Sequence, residues 1–213
     1  MDVNFWHQKW ERNEIGFHRS TVNPLLISHF NALALAKGSR VFLPLCGKTL
    51  DIGWLLANGY RVAGVELSEM AVRQLFIGLG ITPQVTEQRN GMQYYQGKNI
   101  DIFVGNLFDL SDEMLGAVDA IYDRAALVAL PEAMRSQYAA HLLAITHTAP
   151  QLLICFEYDQ TLMEGPPFSI SAAEIQQHYA SSYQLTLLAR AAIPGGLKGQ
   201  CAAWENVWLL NKS

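Results

Sequence analysis

An acidic residue ends an apolar strand at a position where its carboxylate could bind a ribose. Residues 40–66 read as a buried strand, a loop, a helix and a second strand that ends at Glu66. In an open parallel sheet, ligands sit outside the carboxyl ends of the strands, and an acid about 20 residues beyond the first turn accepts hydrogen bonds from the ribose hydroxyls. Residues 40–66 therefore predict half of a nucleotide site, with Glu66 as the ribose ligand.

The turn after the first strand contains a single glycine, Gly47. A dinucleotide pyrophosphate requires several glycines at this turn, because the backbone N–H groups must approach the phosphates closely. The segment Gly47-Lys48-Thr49 also resembles the end of a P-loop, but that motif requires a glycine at the position of Phe42. The turn favours an adenosine ligand that carries no phosphate, and it argues against NAD and against a P-loop.

Several ordered motifs along the chain resemble the thiopurine S-methyltransferase family, whose members use S-adenosyl-L-methionine (AdoMet). The matching segments are residues 6–10, 16–18, 42–48, 64–68, 106–110, 122–129 and 165–168. The resemblance implies methyl transfer from AdoMet to the sulfur of small aromatic or heterocyclic thiols such as thiopurines, or to selenium or tellurium. Two rival hypotheses are a non-catalytic AdoMet-binding module and an NAD-linked oxidoreductase.

The elements needed to position such a site alternate along the chain as strands and helices. A helix is expected from Asn23 to Gly38, with Leu26, Phe30 and Leu33 on one face, another helix up to Gly59, and a third after Ser68. A hairpin is expected around residues 97–99, and a final hairpin from residues 183–191 and 203–210. We predict a single α/β domain over residues 1–213. Its Rossmann-like fold has a seven-stranded, mostly parallel sheet, a C-terminal antiparallel hairpin and helices on both faces. Residues 1–22 are expected to form an N-terminal lid.

The family resemblance implies a cofactor site made of Trp10, Leu45, Glu66, Asn106, Leu107 and Arg124. Trp10 would cover AdoMet, although Trp6 and Trp10 at i, i+4 spacing are also typical of core packing. Asn106 would contact the adenine or cap the turn that follows it, and the two interpretations are compatible.

The family resemblance implies that Arg124 is the catalytic residue, and its position after the fourth strand, where donor and acceptor must meet, agrees with that role. A local ion pair with Asp123 is the alternative interpretation. The predicted acceptor site consists of Phe17, His18, Arg19, Pro167 and Phe168, with Pro166 beside them. His18 has an unperturbed pKa that suits proton transfer, and a purely structural histidine is equally compatible with the sequence.

The composition argues against several classes of binding partner. Of 213 residues, 50% are hydrophobic and 16% are charged, and the net charge is −4, which argues against disorder and against nucleic-acid binding. Residues 136–156 lack Asp, Glu, Lys and Arg but contain too many other polar residues for a membrane span, and no signal peptide is evident. Cys46, Cys155 and Cys201 have no disulfide or zinc-site spacing. We expect a cytoplasmic monomer without a metal.

Overall fold

The computed structural model of the protein describes residues 3–88 and 90–212, so the first two positions of the expected lid lie outside the described residues. Within the described residues, the strands are β1 Arg40–Pro44, β2 Arg61–Glu66, β3 Gln84–Glu87, β4 Gln93–Gly97, β5 Ile100–Val104, β6 Ala120–Arg124, β7 Gln151–Tyr158, β8 Tyr183–Ala192 and β9 Ala203–Lys212. They form one nine-stranded sheet in the order β3-β4-β5-β2-β1-β6-β7-β9-β8. The central strands β5, β2, β1, β6 and β7 are parallel, so their carboxyl ends share one edge.

The helices are α1 Val3–Glu11, α2 Pro24–His29, α3 Leu50–Ala57, α4 Glu69–Leu79, α5 Asp112–Leu115, α6 Glu132–Ile145 and α7 Ala172–Tyr179. Side chains cap the starts of α2, α4 and α7. The Asn23 side chain accepts a hydrogen bond from the N–H of Leu25, and Ser68 accepts one from Ala71. Ser171 in turn accepts one from Glu174, as its capping-box spacing predicts.

The structure adds strands to the expected seven. The hairpin around residues 97–99 is confirmed, and its first arm, β4, is itself paired in the sheet, while β3 adds a further antiparallel strand at the edge. All four residues of β3 are exposed, so the strand shows no alternation of buried and exposed positions. The antiparallel pairing of β8 with β9, and of β9 with β7, matches the predicted C-terminal hairpin.

The helix after Asn23 is shorter than predicted. It ends at His29 and continues as a 3₁₀ turn over Phe30–Leu33, whereas Gly38 was the expected end. Ala34 then adopts a left-handed backbone with φ of 51°, which ends the 3₁₀ turn. The predicted inward stripe of Leu26, Phe30 and Leu33 is buried.

Successive residues of β6 point to opposite faces of the sheet, and this positions the site. The hydroxyl of Tyr122 donates to buried Asp51 at 2.9 Å, and Asp51 also accepts a hydrogen bond from the N–H of Asn23. On the other face, Asp123 is fully buried and accepts a hydrogen bond from Tyr138 at 2.7 Å. Asp51 therefore links the start of α2 to the sheet. The alternation along β6 places the Arg124 side chain on the face opposite to that of Asp123.

Candidate functional site

A cavity of about 490 Å³ lies at the carboxyl edge of the parallel strands. Its walls come from α1 and the segment after it, the turn after β1, the ends of β2 and β6, and the loops that precede α7 and β9. Predicted site residues in the wall are Trp10, Phe17, His18, Arg19, Leu45, Glu66, Arg124 and Pro167. The cavity therefore combines aromatic surface, an acid and several cations.

Glu66 is 6% exposed and is held by backbone N–H groups. Its Oε2 accepts a hydrogen bond from Gly47 at 2.7 Å, and its Oε1 accepts one from Ser68 at 2.9 Å. Burial raises the pKa of Glu66, and the hydrogen bonds from Ser68, Gly47 and Leu67 oppose that shift. Each carboxylate oxygen retains a lone pair for a ligand hydroxyl, so the geometry suits a ribose diol.

The turn after β1 lies between Glu66 and Trp10. Leu45 has a left-handed backbone with φ of 46°, and Gly47 has φ of 53°. A Cβ built on Gly47 would lie 3.2 Å from the Trp10 ring, so glycine allows the indole to approach the turn closely. Trp10 is 6% exposed and also contacts Phe17 edge-to-face, with 5.4 Å between ring centroids. These contacts hold α1 against the cavity.

Arg124 ends β6 at the cavity wall. Its Nη1 donates to the carbonyl oxygen of Phe17 at 3.2 Å, which links the sheet edge to the N-terminal segment. The following residue, Ala125, has a left-handed backbone with φ of 67°. Glycine adopts this conformation more readily than alanine. Some members of the family that the chain resembles have glycine at this position. Asp123 points into the core, so a local ion pair does not account for Arg124.

His18 lies in the wall near two cations. Burial lowers the pKa of His18, the positive charges of Lys48 and Arg124 lower it further, and Asp51 acts in the opposite direction. The imidazole is therefore neutral at neutral pH and able to accept a proton. Arg19 lies nearby, and its Nη1 is 3.4 Å from Oε1 of Glu205 in β9.

Three predicted site residues do not line the cavity. Asn106 caps the turn that follows it by accepting a hydrogen bond from the N–H of Phe108, and Leu107 is buried in the core. The Phe168 ring packs under the guanidinium of Arg135 at 5.3 Å. The capping interpretation of Asn106 is confirmed, while the contacts of Asn106 and Leu107 with adenine, and of Phe168 with the acceptor, stay predictions.

Other cavity residues were not identified from the sequence. They include Lys48, Phe156, Ile193, Leu197 and Glu205. The Lys48 ammonium lies 5.7 Å from the centroid of the Trp10 ring. Glu205 had no clear sequence signal, because β9 also contains Asn206, Asn211 and Lys212. Lys198 joins two cavity loops, because its Nζ donates to the carbonyl of Pro166 at 2.8 Å.

Residues 3–88 and 90–212 contain neither a candidate metal site nor a membrane-spanning helix. No cluster of three or more His, Cys, Asp or Glu side chains is placed to hold a metal ion. No helix is long and apolar enough to cross a membrane. Cys46, Cys155 and Cys201 are buried as free thiols, and burial raises the pKa of Cys46.

Comparisons with known proteins agree on one family. The family described as Thiopurine S-methyltransferase matches residues 1–210. The thiopurine S-methyltransferase of Teredinibacter turnerae is 54% identical over 213 residues, covering 100% of this chain and 99% of that protein. The thiopurine S-methyltransferase of Xanthobacter autotrophicus is 52% identical over 214 residues, with 100% of both chains covered.

A solved structure confirms the predicted Rossmann-like methyltransferase fold. It is the 1,6-didemethyltoxoflavin-N1-methyltransferase of Burkholderia thailandensis, with bound 1,6-didemethyltoxoflavin and S-adenosylhomocysteine. The TM-score is 0.67 at 14% identity, and the match covers 99% of this chain and 87% of that one. At this identity the likeness supports the fold alone.

Proposed function

The chain belongs to the thiopurine S-methyltransferase family, and we propose that it transfers the methyl group of AdoMet to the sulfur of small aromatic or heterocyclic thiols such as thiopurines. The observation that carries the proposal is one cavity that places Glu66 and Arg124 in the same wall. The family membership does not favour an NAD-linked oxidoreductase or a non-catalytic module. Selenium and tellurium nucleophiles are further candidates, since their chemistry resembles that of sulfur.

The residues of the cavity fit AdoMet. When bound, AdoMet supplies an electrophilic methyl group on a sulfonium. Glu66 would accept hydrogen bonds from the ribose hydroxyls, and the backbone of Leu45 would face the amino-acid tail. Trp10 would cover the ligand and favour its cationic sulfur through the π face, by about 1 kcal/mol on typical figures. Together these residues would orient the donor carbon and exclude water.

The remaining wall would hold the acceptor. Phe17 and Pro167 supply flat apolar surface for an aromatic ring, as a small-molecule pocket requires. Arg124 would direct an anionic sulfur toward the methyl carbon by charge and hydrogen bonding. An in-line displacement needs no covalent enzyme intermediate, so the contribution of the protein is mainly positioning.

His18 is proposed to accept the thiol proton from acceptors that are protonated at neutral pH. Because the pKa of His18 is lowered, wild-type kcat/KM for such an acceptor is expected to stay constant down to the ordinary histidine range and to fall at lower pH. In His18→Gln that inflection should disappear, with a loss of less than about tenfold, since many thiols ionise without a base. A pH profile with a weakly acidic thiol measures this. His29→Gln, on α2, is the control. An unchanged profile in His18→Gln would make His18 a structural residue.

Residues before Asn23 are proposed to act as a lid over the donor. Trp10 lies in α1 and contacts the cavity wall through its side chain, and residues 3–22 pair with no strand of the sheet. We therefore expect residues 3–22 to exchange amide hydrogens rapidly without ligand. Bound S-adenosylhomocysteine should slow that exchange, whereas the β1 amides should be protected in both states. Hydrogen-exchange mass spectrometry reads both segments in one experiment. Equal protection of residues 3–22 with and without ligand would make the tryptophans permanent core.

The direct test of the function is a screen of aromatic thiols and chalcogen oxyanions with AdoMet labelled in the methyl group. The proposal expects label on sulfur for at least one aromatic thiol. Binding of AdoMet without transfer to any acceptor would instead favour a non-catalytic module. A rise in melting temperature with NAD, and none with AdoMet, would favour an oxidoreductase.

We further propose that the protein acts as a monomer in the cytoplasm. The three buried free thiols support a reducing compartment, because they form no disulfide.

A further inference from the structure

Glu205 carries a carboxylate in the cavity wall that has little support from the protein. Its side chain is 14% exposed, and its Oε1 accepts one hydrogen bond from Arg19 at 3.4 Å, the long limit for such a bond. Within the described residues, the structure gives this carboxylate no second hydrogen-bond donor. A largely buried carboxylate is normally hydrogen-bonded several times, so the free acceptor capacity of Glu205 points toward a ligand.

The sheet places Glu205 on the same face as Arg124. Arg124 pairs with Ile154 of β7, and Ile154 pairs with Val207 of β9. Paired residues of neighbouring strands share a face, and so do residues two apart along a strand, which brings Glu205 to the face of Arg124. Only β7 lies between β6 and β9, so the two strands are roughly 10 Å apart. Both side chains also line the same cavity, so a ring bound there would lie near both.

The charge of Glu205 does not serve the recognition of a sulfur anion. Arg19, Arg124 and Lys198 supply positive charge to this part of the wall, and a carboxylate beside them weakens their attraction for a thiolate. The neighbours Phe156 and Ile193 are apolar and suit a ring. A carboxylate at the edge of an apolar slot is suited to accept a hydrogen bond from a ring N–H.

We propose that Glu205 accepts a hydrogen bond from a ring N–H of the methyl acceptor, with Arg19 holding the carboxylate in position. The proposal rests on the proposed methyltransferase function and narrows its substrate class. The favoured acceptors are heteroaromatic thiols in which a ring nitrogen is bonded to the carbon that carries the sulfur. In their thione form these acceptors present N–H and sulfur on one rigid edge, so one hydrogen bond orients the nucleophile. As the sulfur takes the methyl group and the sulfonium C–S bond of AdoMet breaks, the ring N–H proton passes to the Glu205 carboxylate and then to solvent, which leaves a neutral thioether.

The test compares two acceptors in the full-length enzyme at a pH where the ring N–H is retained. Glu205→Gln is expected to lower kcat/KM for 6-mercaptopurine by about tenfold, because a neutral amide accepts a hydrogen bond less strongly than a carboxylate. The value for thiophenol, which has no ring N–H, should not fall, because loss of the carboxylate only strengthens the attraction of the neighbouring cations for its thiolate. Glu157→Gln is the matched control, since Glu157 lies in β7 outside the cavity and pairs with Asn206 at 2.7 Å. It should affect neither acceptor.

Each alternative outcome has a separate meaning. An equal loss with both acceptors, or no loss with either, would overturn the role of Glu205 while leaving the methyltransferase function intact. A wild-type enzyme that binds S-adenosylhomocysteine but methylates neither thiol would refute the proposed function and this proposal with it. If Glu205→Gln does not fold, the wild-type enzyme still tests the proposal through its kcat/KM values for two isomeric thiols. After correction for their uncatalysed rates, 2-mercaptopyridine should exceed 4-mercaptopyridine by about tenfold, and equal values would overturn the proposal.

Discussion

Replacement of Glu66 by glutamine is expected to weaken AdoMet binding by about 1.5–3 kcal/mol, the usual range for hydrogen bonds with a charged partner. In wild type, both carboxylate oxygens are fixed by the N–H groups of Gly47 and Ser68, and Glu66 lines the cavity. A glutamine can accept from one of these N–H groups but places its own NH₂ against the other. The variant therefore loses the charge and distorts the ribose site together. Titration calorimetry with AdoMet measures the loss.

The matched control is Glu69→Gln, which removes the same charge three residues away on the exposed side, where Glu69 pairs with Arg73. It should leave AdoMet affinity unchanged. The pH dependence adds a second check. Because burial raises the pKa of Glu66, wild-type affinity should fall as pH drops through that raised pKa, and the Glu66→Gln variant should show no such fall. A folded Glu66→Gln protein with wild-type affinity would mean that Glu66 is not the ribose ligand.

Removal of the Arg124 side chain is expected to lower kcat/KM for an anionic thiol by ~2 kcal/mol, or roughly thirtyfold. The guanidinium lies at the carboxyl end of β6, and it is free of Asp123, whose carboxylate is bound to Tyr138 on the opposite face. A neutral acceptor should lose much less, since it gains less from the positive charge. Lysine at this position should rescue only part of the rate, because it lacks the planar fork.

Steady-state kinetics with one anionic and one neutral acceptor separates the possible roles of Arg124. Arg190→Ala is the control, since Arg190 in β8 pairs with Glu157 outside the cavity. Equal slowing of both acceptors together with a loss of AdoMet affinity would assign Arg124 to the donor site. Because Arg124 also binds the Phe17 carbonyl, hydrogen exchange of residues 3–22 should be measured in the same variant. Unchanged kinetics with both acceptors would contradict our placement of the acceptor.

Local signals predicted much of the fold. Helix α4 begins as expected, because Ser68 supplies the cap and Val72, Leu75 and Phe76 repeat at helical spacing on the buried face. The edge strand β3 could not be predicted in this way. Its four exposed residues have no buried face, and pairing with β4 places them in the sheet. The end of the 3₁₀ turn that continues α2 depends likewise on the left-handed backbone at Ala34, where no glycine indicates it.

Some residues of the candidate site could likewise be predicted from local sequence signals, and others could not. Glu66 and Arg124 were identified because each ends a strand, and the carboxyl ends of parallel strands must meet. Glu205 lies on an antiparallel strand far along the chain, and the pairing of β9 with β7 brings it to the cavity. Its proximity to Arg19, 186 residues away in sequence, comes from tertiary structure alone. Asp123 shows the opposite case, because strand alternation buries it beside Tyr138 while its neighbour Arg124 lines the cavity.

The most direct test of the account is a crystal structure of the complex with S-adenosylhomocysteine and an aromatic thiol. We expect the ribose hydroxyls within hydrogen-bond distance of the Glu66 carboxylate, Trp10 over the ligand, and the thiol sulfur beside Arg124 and facing the donor sulfur. Electron density for both ligands inside this cavity in that arrangement would establish the site. Density for S-adenosylhomocysteine elsewhere, or a thiol bound away from Arg124, would contradict it.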